Sequence, residues 1–252
     1  MSGDNSRNNV NRPLISHWQT VSKVPSLDED EVHVWLVRVD ERLRSLLETS
    51  LSRPESERAN AFRFRNHQTQ FVASRGSLRF LLGQYLCKPA EDIEILSAKL
   101  GKPYLSQRLQ PNVHFNISHS CEYALLAFSL AQELGVDIER HDPSAIDEGL
   151  LRQCLTESEK LRYERALPEE RTGFFFDTWA RKEAYMKLLG DGLNIPPHEL
   201  SLAQIEPVCE RVATYDVCFS PTPAIEGFSL ALATREQPTK AQFYALGSSL
   251  LM

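Results

Sequence analysis

Two acidic side chains alternate with apolar ones in the segment Gly135-Val-Asp-Ile-Glu139. In a β-strand, Asp137 and Glu139 share one face, opposite Val136 and Ile138, which face a core. Neighbouring carboxylates repel each other unless a proton or a cation lies between them, and hard oxygen ligands suit Mg²⁺. The pair therefore indicates either a metal site or, more simply, the solvated face of a half-exposed strand.

A third carboxylate follows in Trp179-Ala-Arg-Lys-Glu-Ala-Tyr-Met-Lys187. Helical spacing predicts that Trp179, Lys182, Glu183 and Lys187 lie along one side of a helix. Glu183 could complete a metal site or act as a base, and Lys187, one turn away, could meet a phosphate. The alternative is that Glu183 and Lys187 form an ordinary surface pair, worth about 0.3–0.5 kcal/mol, beside a buried tryptophan.

Groups that suit an anion lie in the first half of the chain. Ser118 and His119, in Phe115-Asn-Ile-Ser-His-Ser120, offer a hydroxyl and an imidazole, although neighbours on a strand diverge too far to form a catalytic triad. Lys102 lies in a turn, Gly101-Lys-Pro, that would hold its side chain outward. A satisfied turn histidine is the simpler explanation for His119.

The segment from Arg53 to Arg79 contains six arginines and no lysine, and its only acids are Glu55 and Glu57. Arginine forks bind phosphate oxygens bidentately. Exposed arginines on helices are also common without any ligand, so the segment alone predicts no site.

Four of these motifs follow one another along the chain: Gly101-Lys-Pro, Phe115-Asn-Ile-Ser-His, Gly135-Val-Asp-Ile-Glu and Trp179-x-x-Lys-Glu-Ala. In this order and at these separations they resemble the 4′-phosphopantetheinyl transferases, specifically the long, Sfp-like group, over about residues 50 to 235. The resemblance implies a monomer of two similar α+β halves related by a pseudo-twofold axis, with coenzyme A and Mg²⁺ at their junction.

The resemblance also assigns roles to individual residues. The residues that match the family's magnesium ligands are Asp137, Glu139 and Glu183. Those that match its contacts to the phosphates of coenzyme A are Lys102, Ser118, His119 and Lys187. Arg58 falls where the family has a basic residue near the 3′-phosphate. Because Asn66 stands where some members have another basic residue, Arg63 or Arg65 could substitute for it.

The implied activity is that of a holo-carrier-protein synthase, with an apo acyl or peptidyl carrier protein and coenzyme A as partners. A carrier serine attacks the β-phosphorus of coenzyme A, 3′,5′-ADP leaves, and phosphopantetheine stays on the serine. We expect Glu183 to be the general base and Lys187 and His119 to be the other catalytic groups. Neither nucleic acid nor membrane is an expected partner.

Two other classes of function are weighed against this one. A non-catalytic module that binds a carrier protein or a nucleotide is disfavoured, because such a module has no need for three acids and Lys187. Nucleic-acid binding through the arginine segment fits poorly with a net charge of −6 and with the absence of a motif for groove or base readout.

The elements that must position these groups follow from the apolar pattern. We expect helices at 53–83 and within 154–190, and strands at 32–38, 93–96, 113–117, 123–130, 134–139, 213–219 and 228–234. Leu81-Leu82-Gly83 returns as Leu188-Leu189-Gly190, and the first of these is expected to end its helix at Gly83. The interpretation is a duplicated α+β unit with antiparallel sheets: a flexible arm at 1–30, an N-terminal subdomain at 31–131 that contacts the coenzyme A phosphates, and a C-terminal subdomain at 132–252 that carries the magnesium ligands and the catalytic helix.

Composition narrows the class of protein further. The chain has 252 residues, of which 1–131 carry a net charge of +2 and 132–252 a net charge of −8, so anion and cation binding could be divided between the halves. It lacks G-x-G-x-x-G, a P-loop, G-x-S-x-G and H-E-x-x-H, which excludes the common nucleotide loops and the simplest hydrolase and zincin classes. Five scattered cysteines, an N-terminus without an apolar leader and no long apolar run predict a cytoplasmic protein with reduced thiols.

Overall fold

The computed structural model describes residues 17–98, 101–106, 113–190, 196–202, 209–212 and 215–251, with 209–212, 215 and 216 given by their backbone only. The elements, in chain order, are β1 (Glu31–Arg38), α1 (Glu41–Leu47), α2 (Arg53–Asn60), α3 (Arg65–Leu86), β2 (Ile95–Ser97), β3 (Pro103–Leu105), β4 (His114–Ser120), β5 (Tyr123–Ser129), β6 (Leu134–Arg140), α4 (Glu148–Cys154), α5 (Glu157–Arg165), α6 (Pro168–Leu189), β7 (Cys209–Val212), β8 (Tyr215–Ser220), β9 (Phe228–Thr234) and β10 (Lys240–Ala245).

The strands form two four-stranded sheets, in the orders β10-β1-β5-β4 and β6-β9-β8-β7, and a small β2-β3 hairpin. Strand β1 pairs antiparallel with β5 and parallel with β10. The predicted α+β class with antiparallel sheets is thus confirmed. The parallel partner from the end of the chain is an addition that the sequence pattern did not predict.

The strands nearest the site are buried on both faces, because each sheet is covered by a helix on one side and by the other half on the other. In β1, Trp35 packs in the core with helix α3, while Val34 packs with Val136 and Ile138 of β6. On its other face, β6 lies against α6. The half-exposed strand that the alternating pattern left open for 134–139 is therefore excluded, since most of its residues are buried.

Side chains of β4 join the two sheets edge to edge. The Oδ1 atom of Asn116 accepts a hydrogen bond from the backbone N–H of Val136 at 3.0 Å, and Ser120 Oγ accepts one from that of Arg140 at 3.1 Å. These side chains stand where a neighbouring strand would supply carbonyls, so they satisfy donors at the edge of the second sheet.

The helix expected at 53–83 is two helices. A capping box between Ser52 and Glu55 begins α2, which ends at Asn60, and α3 starts at Arg65. Gly83 does not end α3, because the left-handed residue is Cys87, at φ 52°. Gly83 instead permits a close approach, since an added Cβ there would lie 2.7 Å from the carbonyl oxygen of Lys88.

Part of the arm predicted at 1–30 is attached to the first sheet. Residues 1–16 lie outside the described residues, and Gln19 is hydrogen-bonded through its backbone to Phe243 and Ala245.

The cysteines are not all reduced. Cys87, Cys121 and Cys154 are free, but Cys218 is disulfide-bonded, so the prediction of reduced thiols is wrong at this position. Among the described helices, none is long and apolar enough to cross a membrane.

Candidate active site

A glycine brings the acidic strand and the catalytic helix together. A Cβ added at Gly135 would lie only 1.9 Å from the carbonyl oxygen of Ala184 and 2.6 Å from the backbone nitrogen of Leu188. Because side chains alternate along β6, Asp137 and Glu139 project from the same face as this glycine, toward α6. The absent side chain thus allows helix and strand to approach at the level of the acids.

The centre of the site is a triangle of hydrogen bonds contributed by β4, β6 and α6. Lys187 Nζ donates to Asp137 Oδ1 at 2.6 Å and to Ser118 Oγ at 2.9 Å, and Ser118 Oγ donates to the same Asp137 oxygen at 2.7 Å. Three of the residues expected to bind metal or phosphate are therefore in direct contact, although they come from both halves of the chain.

Asp137 is almost completely buried, with 1% of its surface exposed, which excludes the solvated face that the alternating pattern allowed. Its second carboxylate oxygen, Oδ2, is also buried and has no hydrogen-bond partner among the described residues. A buried carboxylate oxygen without a donor is costly, so its presence points to a positively charged group that binds there.

The other two acids lie close enough to interact with Asp137. Burial and then the charge of Asp137 raise the pKa of Glu139 to about 7, although Trp179 Nε1 donates a hydrogen bond to its Oε1 at 3.2 Å. Burial and Asp137 also raise the pKa of Glu183, while nearby Lys187 opposes this effect. Among the described residues, the three carboxylates thus interact with the ammonium group of Lys187, and negative charge is in excess.

The residues are suited to Mg²⁺, but the arrangement is not that of a finished metal site. Carboxylate oxygens are the ligands that Mg²⁺ prefers, and the unpartnered oxygen of Asp137 is available to one. Within the described ranges, however, no group of three His, Cys, Asp or Glu side chains is close enough together to hold an ion. Lys187 donates a hydrogen bond to Asp137, and Trp179 donates one to Glu139.

His119 lies next to Ser118 on β4 and is exposed. Partial removal of water by the surrounding protein is the main effect that lowers the pKa of His119, and the charge of Lys187 adds to it. The ring is therefore neutral at pH 7. A phosphate bound beside it would reverse this effect, because an anion stabilises the protonated imidazole.

Lys102 does not contact the central triangle. Its Nζ donates to Glu133 Oε2 at 2.7 Å, and Oε1 of the same glutamate lies 3.2 Å from His114 Nδ1. The stem of Lys102 nevertheless lies near the end of α6, because a Cβ at Gly190 would be 3.6 Å from its Cδ. The ammonium group is thus on the same side of the molecule as Lys187 but is held by another acid.

The arginines expected near the 3′-phosphate differ in their surroundings. Arg65 is bound to Glu41 through two hydrogen bonds, and Arg63 lies over the ring of Phe64. Arg58 lies 4.9 Å from the centre of the Phe71 ring and, among the described residues, forms no ion pair. Of the three, Arg65 is therefore the one that a carboxylate neutralises, whereas Arg58 and Arg63 contact aromatic rings.

Three features of the site were missed or misplaced by sequence reasoning. Trp179 packs against a hydrophobic cluster, as the simpler interpretation allows, but its hydrogen bond to Glu139 is not predicted by the sequence. The bridging role of Asn116 is also not predicted, although its alternation with Ser118 and Ser120 is a signal. Lys182 was placed beside Glu183 and Lys187. It is fully buried elsewhere, where its Nζ donates to Glu159 Oε2 at 2.5 Å and to the carbonyl oxygens of Cys154 and Pro197.

The geometry defines a class of protein: an α+β protein of two sheets, with a site where its two halves meet. In that site an acidic cluster that suits a cation lies next to groups that suit a polyanion. The family models that match the sequence describe proteins of one such class. Residues 35–131 match the family model described as 4′-phosphopantetheinyl transferase, N-terminal, and residues 133–232 match that of the 4′-phosphopantetheinyl transferase superfamily.

Individual relatives give the same result. The chain is 37% identical over 194 residues to the 4′-phosphopantetheinyl transferase HetI of Nostoc sp., covering 73% of this chain and 81% of that protein. It is 28% identical to the transferase Sfp of Bacillus subtilis, over 62% and 73% of the two chains. With the L-aminoadipate-semialdehyde dehydrogenase-phosphopantetheinyl transferase of Mus musculus it shares 30% identity, over 60% and 52%. The chain belongs to the 4′-phosphopantetheinyl transferase superfamily, which confirms the family that its motifs predict.

Proposed function

We propose that this protein transfers 4′-phosphopantetheine from coenzyme A to a serine of an apo acyl or peptidyl carrier protein and releases 3′,5′-ADP. The observation that carries the proposal is the buried Asp137 carboxylate, with its unpartnered oxygen, between two further acids and Lys187 at the junction of the halves. A cation and a polyanion together would balance these charges.

The ligands proposed for Mg²⁺ are Asp137, Glu139 and Glu183. When bound, Mg²⁺ would neutralise charge on the pyrophosphate of coenzyme A and so stabilise the transferring group. Support comes from the chemistry of the donors and from the raised pKa values of Glu139 and Glu183, which burial and the charge of Asp137 cause.

The residues of the chain that act directly have separate tasks. Lys187, Ser118 and His119 bind and orient the phosphate oxygens. Glu183 accepts the proton of the carrier serine. Lys102 and Arg58 bind the remaining phosphate oxygens. Lys102 can do so only after its hydrogen bond to Glu133 is broken.

We further propose a monomer that acts in the cytoplasm, on coenzyme A and a carrier protein and on neither nucleic acid nor membrane. All of the site residues come from one chain, so a second copy is not needed to complete the site. The proposed division lies between residues 131 and 132, with most of the phosphate contacts before it and the acids after it, although β10 returns to pair with β1 of the first half.

The proposal is tested by Asp137→Asn. We expect the rate of transfer to fall by at least about a hundredfold, because the isosteric amide cannot supply the negative charge. The measurement is the mass of an apo carrier protein after incubation with coenzyme A and MgCl₂, since transfer adds one phosphopantetheine. Asp92→Asn, which changes an exposed acid of a distant turn, is the control and should react at the normal rate.

Two outcomes would contradict the proposal. Full turnover by Asp137→Asn would remove Asp137 from the metal site. Binding of coenzyme A by the unmodified protein without any mass gain on a range of apo carrier proteins would instead favour a binding module.

A further inference from the structure

Lys187 is hydrogen-bonded to Asp137, the carboxylate that the proposed function assigns to the metal. Its Nζ is 2.6 Å from Oδ1 of Asp137, a short contact between a charged donor and a charged acceptor. Asp137 is buried, whereas 28% of the Lys187 side chain is exposed, so only the lysine can leave without moving the fold. A flexible four-carbon stem allows that movement.

An ammonium group and a magnesium ion compete for this carboxylate. Mg²⁺ binds oxygens at about 2.0–2.1 Å and holds a rigid octahedral shell, so an ammonium group hydrogen-bonded to the same carboxylate crowds that shell and repels the ion. Oδ2 of Asp137 remains without a partner, but a metal bound there would still lie within a few ångströms of the lysine charge. Without coenzyme A, a metal ion must therefore either displace Lys187 from Asp137 or bind beside its charge, and both lower the affinity for the metal.

Coenzyme A changes this balance because it offers Lys187 another anion. A pyrophosphate beside Ser118 and His119 would lie next to the lysine, which already donates to Ser118 Oγ at 2.9 Å. Transfer of the ammonium group from the carboxylate to the phosphate would free Asp137 at the moment when a metal is needed. The acids would then have lost the ammonium group that lowers the pKa values of Glu139 and Glu183.

We propose that Lys187 is an exchangeable counterion, which passes from Asp137 to the pyrophosphate when coenzyme A binds, so that Mg²⁺ binds weakly alone and tightly with coenzyme A. The inference rests on the proposed function and extends it to the coupling between the two ligands. Such coupling is reciprocal, so Mg²⁺ strengthens binding of coenzyme A by the same factor.

The test is calorimetric titration of MgCl₂ into the protein with and without saturating coenzyme A. Direct contact between the metal and the pyrophosphate would also produce coupling, so the decisive measurement is the affinity for Mg²⁺ alone. Lys187→Gln should bind Mg²⁺ alone about tenfold more tightly than the unmodified protein, the change that corresponds to removing a charged hydrogen bond of about 1.4 kcal/mol. The factor by which coenzyme A strengthens Mg²⁺ binding should shrink accordingly.

Two control variants separate this exchange from a general effect of charge. Lys187→Arg keeps a cation at Asp137 and should keep the weak binding of Mg²⁺ alone. Arg181→Gln removes one positive charge from the same helix, where the guanidinium lies over Phe219, and should change the affinity by less than about twofold. Circular dichroism melting curves establish that each variant is folded.

The possible results are distinguishable. If Lys187→Gln binds Mg²⁺ alone no more tightly than the unmodified protein, the exchange is wrong while the metal site stands. If Arg181→Gln matches Lys187→Gln, the effect is general electrostatics and the exchange is again wrong. If the unmodified protein binds no Mg²⁺ even with coenzyme A, or Asp137→Asn binds it equally well, the proposed metal site itself fails.

A measurement on the unmodified protein covers the case in which Lys187→Gln does not fold. In protein labelled with ¹⁵N-lysine, the ammonium signal of Lys187 should shift when coenzyme A is added without metal, because the group changes its acceptor. An unchanged signal at saturating coenzyme A would overturn the exchange.

Discussion

Glu133 connects two basic side chains at the rim of the site. His114 and Lys102 both approach its carboxylate, and their hydrogen bonds lower the pKa of Glu133 to about 2. Glu133 therefore stays ionised and retains Lys102 at any pH at which the enzyme works. A phosphate that recruits Lys102 must compete with this carboxylate.

The same interaction makes a prediction about stability in acid. Because the folded pKa of Glu133 is below its unfolded value of 4.5, its contribution is complete above about pH 4.5 and is lost as the pH falls toward about 2. Half of the Glu133 side chain is exposed, so solvent screening keeps the contribution below about 1 kcal/mol. Glu133→Gln should thus lower the urea midpoint slightly at pH 6 and match the unmodified protein near pH 2. An equal difference at both pH values would rule out the ion pair as its cause.

Single residues of the site were predictable where a motif fixes the residue type, and their partners were not. The acids of Gly135-Val-Asp-Ile-Glu139 and Lys187 are indeed adjacent, as the motifs imply. That Lys187 binds Asp137 directly, or that Glu133 retains Lys102, depends on distances between remote segments. Nothing in the local pattern reports such distances.

At the scale of elements, the approach of α6 to β6 depends on Gly135. Gly135→Ala places a methyl group 1.9 Å from the carbonyl oxygen of Ala184, so helix and strand must separate. We expect a loss of about 1–3 kcal/mol in the free energy of unfolding and a larger loss of transfer activity, because Asp137 and Lys187 move apart. Urea unfolding and the carrier-protein mass assay measure the two effects.

The control for this substitution lies in the same helix. Gly173, within α6, has no neighbour within 4 Å of an added Cβ, and alanine is the better helix former. Gly173→Ala should be neutral or stabilising by up to about 1 kcal/mol, with normal activity. Comparable losses in both variants would refute close packing at Gly135 as the cause.

A buried ion pair between Lys182 and Glu159 attaches α6 to the segments around α5. Lys182 donates to Glu159 at the start of α5 and to carbonyl oxygens before and after it, which ties three segments to α6. Lys182→Met leaves Glu159 buried without its cation and should cost about 3–5 kcal/mol in unfolding free energy. The double variant Lys182→Met/Glu159→Gln should recover a substantial part of that loss, because the uncompensated charge is gone.

An exposed pair nearby provides the comparison. Lys160 pairs with Glu148, whose side chain is more than half exposed, so Lys160→Met should cost less than about 1 kcal/mol. A loss for Lys182→Met as small as that for Lys160→Met would mean that the buried pair does not hold the helix.

Elements were predictable where apolar periodicity is local and were misjudged where tertiary contacts decide. The strands at β1, β5, β6 and β9 follow directly from their apolar runs. The division between α2 and α3 depends on the extended backbone of Phe64, at φ −109° and ψ 132°, which precedes the first turn of α3. Strand β10 forms because β1 offers a free edge on the side away from β5. Neither feature is carried by hydrophobic periodicity.

On the scale of the whole molecule, the two sheets share one hydrophobic cluster between them. Strand β10, near the end of the chain, pairs with β1 of the first sheet, with Phe243 opposite Val34. Phe243 is buried in the cluster that also contains Val136 and Leu232 of the second sheet. The two halves, although they resemble a duplication, are therefore held together by a strand that crosses from one to the other.

This arrangement predicts that the halves unfold as one unit. Phe243→Ala should remove about 3–5 kcal/mol of stability, because it leaves a cavity between both sheets. Gln242→Ala, next to it on the same strand, removes only an exposed hydrogen bond to Gln19 and should cost less than about 1 kcal/mol.

Native-state hydrogen exchange distinguishes joint from separate unfolding. In Phe243→Ala, the protection of amides in β1 and in β6 should fall by the same factor, since both strands lose the packing that Phe243 supplies. If β1 and β10 lose protection while β6 and β9 keep theirs, the halves are independent domains. In that case the carboxylates on β6 could keep their positions while Ser118 on β4 does not, and the site would open between the halves.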